Sequence, residues 1–221
     1  MNFFARLSLG MAATLLCNLA FAQQPGLGQL YPAAPPEGAS FVRVLNPSLD
    51  PVKISLGGKD EIEPLSAGIK IGTNYRTIGP GQAVRVSVNG APILAPIKVE
   101  PNSFATLILK KQGDQYAVAV VHDSTQGQNA LKATLRFYNL VPGCVATVSA
   151  ARTIKIFENV PAWETRHRFI NPVGAQLTAA CGQSESSPLQ LPALQPGGRY
   201  SIFVTGESSK PVLSGRVDGV E

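Results

Sequence analysis

The stretch "LYPAAPPEGASFVRVLNPS", residues 30–48, poses the question of the fold. A proline-rich lead runs straight into an alternating strand, and the strand stops at Asn46-Pro47. "ATLRFYNLVPG" at 133–143 follows a similar plan. An offset of 93 carries Arg43 onto Arg136, Asn46 onto Asn139, Val52 onto Val145 and Val88 onto Cys181. With two more residues inserted, Pro101 meets Pro196 and "TLIL" (106–109) lies over "SIFV" (201–204). Self-similarity at a fixed spacing marks a repeated structural unit. The expectation is two sandwiches in tandem; the rival is one larger sandwich drawing strands from both halves.

Between the two openings, apolar residues recur at period two, the signature of half-buried strands. In "SFVRVL" (40–45), Val42 and Val44 flank Arg43, which should point outward. "VKISL" (52–56), "IKIG" (69–72) and "AVRVSV" (83–88) alternate in the same way. The last runs into Asn89-Gly90, a dipeptide that tolerates positive φ at both centres of a two-residue hairpin turn. "PILAPIKVE" reads as the return strand, pushed to a sheet edge by its prolines. "FATLILKK" and "YAVAVV" pair around "QGDQ". "HDSTQGQNA" (122–130) has no apolar anchor and reads as a linker. Beyond it come "LKATLRFYN", "VATVS", "TIKIF", a less regular stretch, then "AQLTAA", "PLQLP", "YSIFVT" and "PVLSGRV". The reading is all-β, with small Ig-like β-sandwich modules at 40–121 and 131–221.

Composition agrees. Only 15% of the 221 residues are charged, against a usual share of about a quarter, while 21 glycines and 18 prolines supply turns. Residues 1–22 read as a cleaved export signal: Arg6, an apolar core from Leu7 to Leu16, and small residues at Ala20 and Ala22. A membrane anchor would need about 20 apolar residues, more than this run offers. Cleavage before Gln23 leaves a Pro-rich arm at 23–39 and removes Cys17. The remaining Cys144 and Cys181 are expected to form a disulfide in an oxidising compartment, the alternative being two buried thiols. The net charge of +5 comes without a Lys/Arg run interleaved with aromatics, so no nucleic-acid partner is expected.

The inventory for catalysis is thin. Of two histidines, His122 stands in "His122-Asp123-Ser124", but strand neighbours point to opposite faces and cannot form a relay. There is no GxSxG elbow and no pair of His or Cys at zinc spacing, so no catalytic residue, metal or cofactor is expected. "VPAWETRHRF" (160–169) is the most distinctive stretch. Trp163, the only tryptophan, with Arg166, His167 and Arg168 could contact a glycan or dock a protein. Alternatively Trp163 caps the second core while the basic residues are solvated.

At "LYPAAPPEGASFVRVLNPSLDPVKISLGG", and in the order of "PLSAG", "AVRVSVNGAPILAPIKV" and "PNSFATLIL", the chain resembles the AlgF-like accessory proteins of exopolysaccharide O-acetylation. "ATLRFYNL" resembles the opening of that family's second module. The resemblance implies a periplasmic, non-enzymatic adaptor. It would work beside a periplasmic SGNH-type acetyltransferase and a membrane-bound O-acyltransferase, with the polysaccharide itself as a further contact. A carbohydrate-binding module presenting the polymer to the transferases is the alternative. Two departures, the Cys144/Cys181 pair and the segment "IKIGTNYRTIGPGQ", leave the polymer open between alginate and bacterial cellulose.

Overall fold

The structure, a computed structural model, describes residues 35–123 and 129–221. The expected signal at 1–22, all but the end of the Pro-rich arm and residues 124–128 lie outside the described residues. No described residue is helical, and no helix among them is long and apolar enough to cross a membrane.

The first half carries β1 (Ser40–Leu45), β2 (Ile54–Leu56), β3 (Lys59–Asp60), β4 (Arg76–Ile78), β5 (Val86–Val88), β6 (Ala91–Pro92), β7 (Phe104–Gln112) and β8 (Gln115–Asp123). They form two sheets, ordered β4-β1-β7-β8 and β3-β2-β5-β6. The second half carries β9 (Ala133–Asn139), β10 (Ala146–Ala150), β11 (Ile154–Val160), β12 (Thr165–Ile170), β13 (Gln176–Cys181), β14 (Ser184–Glu185), β15 (Leu189–Gln190), β16 (Arg199–Glu207) and β17 (Lys210–Val217). Its sheets run β12-β9-β16-β17 and β11-β10-β13-β14, with β15 also on β13. Each half therefore closes its own sandwich, and in each the opening strand lies parallel to the first strand of the closing hairpin, β1 with β7 and β9 with β16.

Local chemistry explains the shared frame. Asn89 and Gly90 hold φ of 51° and 82°, so the β5–β6 hairpin turns as its dipeptide requires. Asn46 and Asn139 are both buried where their strands end, and their side chains act as brackets. The Asn46 amide donates to the carbonyls of Asp50 and Leu65 at 2.9 and 2.8 Å, while its oxygen accepts from the Ser48 N–H. Asn139 repeats the pattern with Cys144, Val160 and Val141. A buried amide that satisfies three backbone groups cannot be replaced by an apolar side chain without orphaning them.

Several sequence expectations shift. "IKIG" makes no strand; it meets β1 through the Leu45–Gly72 bridge and through Ile71, which shares an apolar cluster with Leu45. A Cβ at Gly72 would lie 2.3 Å from the Leu45 side chain, so the close approach needs glycine. The return strand after Asn89-Gly90 ends at Pro92, although Ile93, Ile97 and Val99 still pack on the first core. β8 continues through His122 and Asp123, which were read as the start of the linker, and Asp123 is buried. The less regular stretch of the second half contains an unforeseen strand, β12.

One observation overrides simple alternation. β1 has no exposed residue, and β7 is buried from Phe104 to Leu109. β16 is buried from Tyr200 to Thr205, and β9 shows the same tendency. A strand buried on both faces needs cover on both. The inner face of each central pair meets its own sandwich core; the outer faces of the two sheets pack against each other. Leu45, Ile71 and Ile108 of the first half join Tyr138, Leu140 and Phe203 of the second in one apolar cluster. The molecule is thus a stack of four sheets.

Cys144 and Cys181 are joined, with Cα atoms 5.4 Å apart, closing a separation of 37 residues in the second core. Reduction, or the Cys144→Ala/Cys181→Ala variant, is expected to lower stability by about 4 kcal/mol on the chain-entropy model. Urea unfolding with and without reductant checks this; overlapping curves would show that the bond contributes nothing.

Candidate functional site: the seam between the two sandwiches

Arg43 lies on the face of β1 directed away from the first core, where alternation would leave it in water; instead it is 1% exposed. The second sandwich covers it. Its guanidinium donates to the Asp218 carboxylate at 2.7 Å, to Thr106 Oγ1 at 2.9 Å, to the Tyr138 hydroxyl at 2.7 Å and to Ser201 Oγ at 2.9 Å. The Tyr75 ring lies 4.5 Å from it. Each of the three hydroxyls passes the polarity on. Tyr138 and Thr106 donate to Asp123 at 2.5 Å, and Ser201 donates to Asp218 at 2.9 Å. Tyr75 also donates to Asp123, at 2.7 Å. Arg136, buried on β9, lies 3.6 Å from Asp123 and 3.8 Å from Asp218.

The two halves exchange charges. Arg43 of the first sandwich finds Asp218 of the second, and Arg136 of the second finds Asp123 of the first. Thr106 and Ser201, like Asp123 and Asp218, are related by the inserted offset of 95 (201 − 106 and 218 − 123). Two arginines and two aspartates balance, as buried ions must. Burial is the largest influence on Arg43 and opposes its charge, but Asp218 first, then Tyr138, Tyr75 and Asp123, together outweigh it and raise its pKa. Arg136 is raised by the same contest. Burial is also the main cause that pushes the Tyr138 phenol up to about 12; Arg43 opposes the shift and Asp123 adds to it. The sequence signal for this site was an arginine at the same register of both opening strands. Asp123, in a presumed linker, and Asp218, beyond the last strand, carried no such mark.

The residue 218–221 segment tightens the seam. Gly219 accepts from the Tyr75 N–H, the Glu221 N–H donates to the Tyr75 carbonyl, and Val220 makes a parallel bridge to Tyr75. Arg216 reaches the Gly72 carbonyl and the Asn74 side chain across the same boundary.

The stretch singled out at Trp163, Arg166, His167 and Arg168 does not converge on one point. Trp163 sits in a turn at φ 68° and packs against the shared apolar cluster of the seam, rather than capping the second core. Lys110 of β7 stands 4.2 Å from its ring centre. On β12, Arg166 pairs with Glu164 at 2.8 Å and Arg168 donates to the Ile156 carbonyl at 2.9 Å, both exposed. Alternation sends His167 to the other face, opposite Arg136, where burial first and then Arg136 lower its pKa. Beside Trp163 a groove of about 640 Å³ runs along the seam, lined by Leu49, Leu109, Lys110, Tyr116, Leu140 and Pro142 among others. No group of three or more His, Cys, Asp or Glu suited to a metal occurs among the described residues.

Two measurements probe the charge exchange. Arg43→Met is expected to cost about 3–5 kcal/mol, because it strands Asp218 in the seam. Arg43→Met/Asp218→Leu should cost less than the sum of the single changes; strict additivity in a urea double-mutant cycle would mean the pair is not coupled. In alkali, the folded state holds the Tyr138 proton to about pH 12, while an unfolded tyrosine releases it near 10. Its contribution to stability is therefore full below about pH 10 and falls as pH rises through about 12. Tyr138→Phe should flatten that decline, and an unchanged slope would contradict it.

The comparisons with known proteins span both sandwiches. A family model described as alginate O-acetyl transferase AlgF matches residues 12–201. The alginate biosynthesis protein AlgF of Pseudomonas aeruginosa is 28% identical over 206 residues, covering 92% of this chain and 87% of its own. That of Azotobacter vinelandii is 26% identical, with 93% and 91% covered. Among solved structures, the C-terminal domain of AlgF from P. aeruginosa aligns with 39% of this chain and 98% of its own at 27% identity, with a TM-score of 0.35. With the model match running from ahead of the first sandwich into the closing hairpin of the second, the chain belongs to the AlgF family.

Proposed function

We propose that this protein is a periplasmic, non-catalytic adaptor needed for O-acetylation of an exported exopolysaccharide, acting through contacts with the acetyltransferase machinery. Family membership supports the pathway, since the relatives are named for alginate biosynthesis and the family model for alginate O-acetyl transfer. Alginate is accordingly the polymer, with bacterial cellulose the alternative. The observation that carries the adaptor role is where the reactive side chains lie. Asp123, Tyr75, Tyr138, Thr106 and Ser201 are buried between the sandwiches and spend their hydrogen bonds on Arg43, Asp218 and one another. A polymer cannot reach them. What faces solvent is sheet edge, loop and groove, surfaces suited to holding other proteins. Trp163 supports docking over sugar stacking, because its ring is engaged by Lys110 and the seam cluster.

Deleting the gene should leave polymer synthesis intact and abolish its O-acetylation, read by NMR of the purified polysaccharide, whose sugar composition also identifies the polymer. Retained acetyl content would overturn the proposal. Intact mass after incubation with an acetyl-donor analogue should stay unchanged; a gain of one acetyl group would make the protein a carrier enzyme.

A further inference from the structure

The first sandwich is open along one flank, between β4 of one sheet and the β2–β3 turn of the other. A cleft of about 660 Å³ lies there, lined by Leu56, Lys59, Arg76, Thr77, Gln82 and Arg85 among others, and by no aromatic residue. Arg76 is spent inside the protein: its guanidinium donates to the Lys59 carbonyl at 2.7 Å and pairs with Glu61 at 2.5 Å. Glu61 in turn is shared between Arg76 and Lys70. Lys59 and Arg85 are different. Both are exposed, and among the described residues neither side chain has an ion pair or a hydrogen bond. Lys59 stands opposite Leu56, which is buried in the first core. Alternation therefore puts Lys59 on the face of its sheet that borders the cleft, and Asp60 on the other.

A peptide already occupies the neighbouring part of this edge. The Phe41 N–H donates to the Ser103 carbonyl, so odd positions of β1 face the β7 side and even ones face β4. Tyr75 and Thr77 therefore turn their N–H and C=O groups away from β1. Those of Tyr75 are taken by residues 219 and 221 of the chain's own closing segment, which lies parallel to it. The Glu221 carboxylate is held there by the Asn74 amide at 2.7 Å and by Arg76 at 3.5 Å. The Asn74 hydrogen bond, with help from Arg76 and against the effect of burial, keeps that carboxyl below its ordinary range. Thr77 comes next along the edge, beside the cleft, and its outward groups have no backbone partner among the described residues.

We propose that this cleft docks the acetyltransferase partner through a short, extended, acidic segment that pairs with Thr77 and sets its carboxylates on Lys59 and Arg85. This deepens the adaptor reading and rests on it. Glu221 displays the mode of binding: an acidic residue on an extended peptide, seated by backbone pairing and by polar side chains at the same edge. The two unmatched cations choose the sign of the ligand. A polysaccharide is disfavoured, because the cleft offers a sugar ring no aromatic face. A second copy has no suitable segment to offer. Asp60, Glu61 and Glu63 form the only stretch of the chain in which acidic residues stand within two positions of one another, and it adjoins this same cleft. The closing segment, with Asp218 and Glu221, is engaged in its own molecule.

Amide NMR of the mature chain titrated with a capped oligoglutamate peptide tests the cleft, with oligoglutamine, an oligouronate and sulfate as parallel probes. Oligoglutamate should shift Lys59, Thr77, Gln82 and Arg85. The Lys59→Glu/Arg85→Glu variant, changed only at exposed positions, should melt like the unaltered protein. It should bind that peptide, and the purified periplasmic SGNH-type acetyltransferase of the same pathway, about tenfold more weakly. Equal shifts with oligoglutamine would show that charge selects nothing. Larger shifts with the oligouronate would assign the cleft to the polymer, and the same shifts with sulfate would mark an adventitious ion only. Each of these overturns the proposal. A transferase complex that the variant leaves unchanged overturns the docking cleft and leaves the adaptor reading standing. No complex at tens of micromolar overturns both. Shifts at these residues that grow with protein concentration alone assign the cleft to a second copy and overturn the proposal.

Discussion

The ion pair between Arg43 and Asp218, with its counterpart between Arg136 and Asp123, constrains everything around it. A guanidinium without water must find counter-charge and acceptors at fixed places, and here both come from the opposite half of the chain as well as its own. That requirement sets how the two sandwiches stack, because any slip between them strands charge in a dry seam. Apolar contact would tolerate several stackings; a network in which each hydroxyl accepts from one group and donates to another tolerates few. At one end Leu45, Ile108, Tyr138 and Phe203 supply the burial, and Phe41, Tyr75 and Phe104 form a second apolar patch.

Much of this was legible in the sequence. Period two gave the strands, Asn89-Gly90 gave a turn, and the spacing of Arg43 and Asn46 from Arg136 and Asn139 gave the repeat. What the sequence hid was which polar residues face a second sandwich instead of water. Alternation sorts side chains to two faces of a sheet and is silent about what lies beyond the outer one. Arg43 therefore read as outward, which is true of its own sandwich and false of the molecule. The unbroken burial of β1 and β7 was the available clue, since "FATLIL" is apolar on both faces where a solvated sheet would not be. β12 escaped notice because "TRHRFI" at a sheet edge is polar on both sides. The patch at Trp163 to Arg168 read as a unit because the residues are adjacent; β-geometry distributes them to different faces.

The tandem plan is put to unequal use. Both sandwiches spend the outer face of one sheet on each other and keep the same strand order. Yet, among the described residues, the second has a disulfide and a last strand bearing proline and charge, while the last strand of the first has no proline and no charge from Gln115 to Val121.

The parallel pairing of each opening strand with a much later one also sets a timetable for folding. β1 cannot be flanked on both sides until β7 arrives some sixty positions on, and Arg43 waits for a partner 175 residues away. Such non-local closure makes for slow folding, because loop entropy must be overcome before the contacts form. The first sandwich can assemble its own core early, but Arg43 then has only Thr106 and the nearby Asp123 of its own half until the second sandwich brings Asp218. Until then the polar surface that is later sealed stays open to water. The lag between the two halves, rather than the strength of either core, is then the interval in which this protein is most exposed to aggregation and proteolysis.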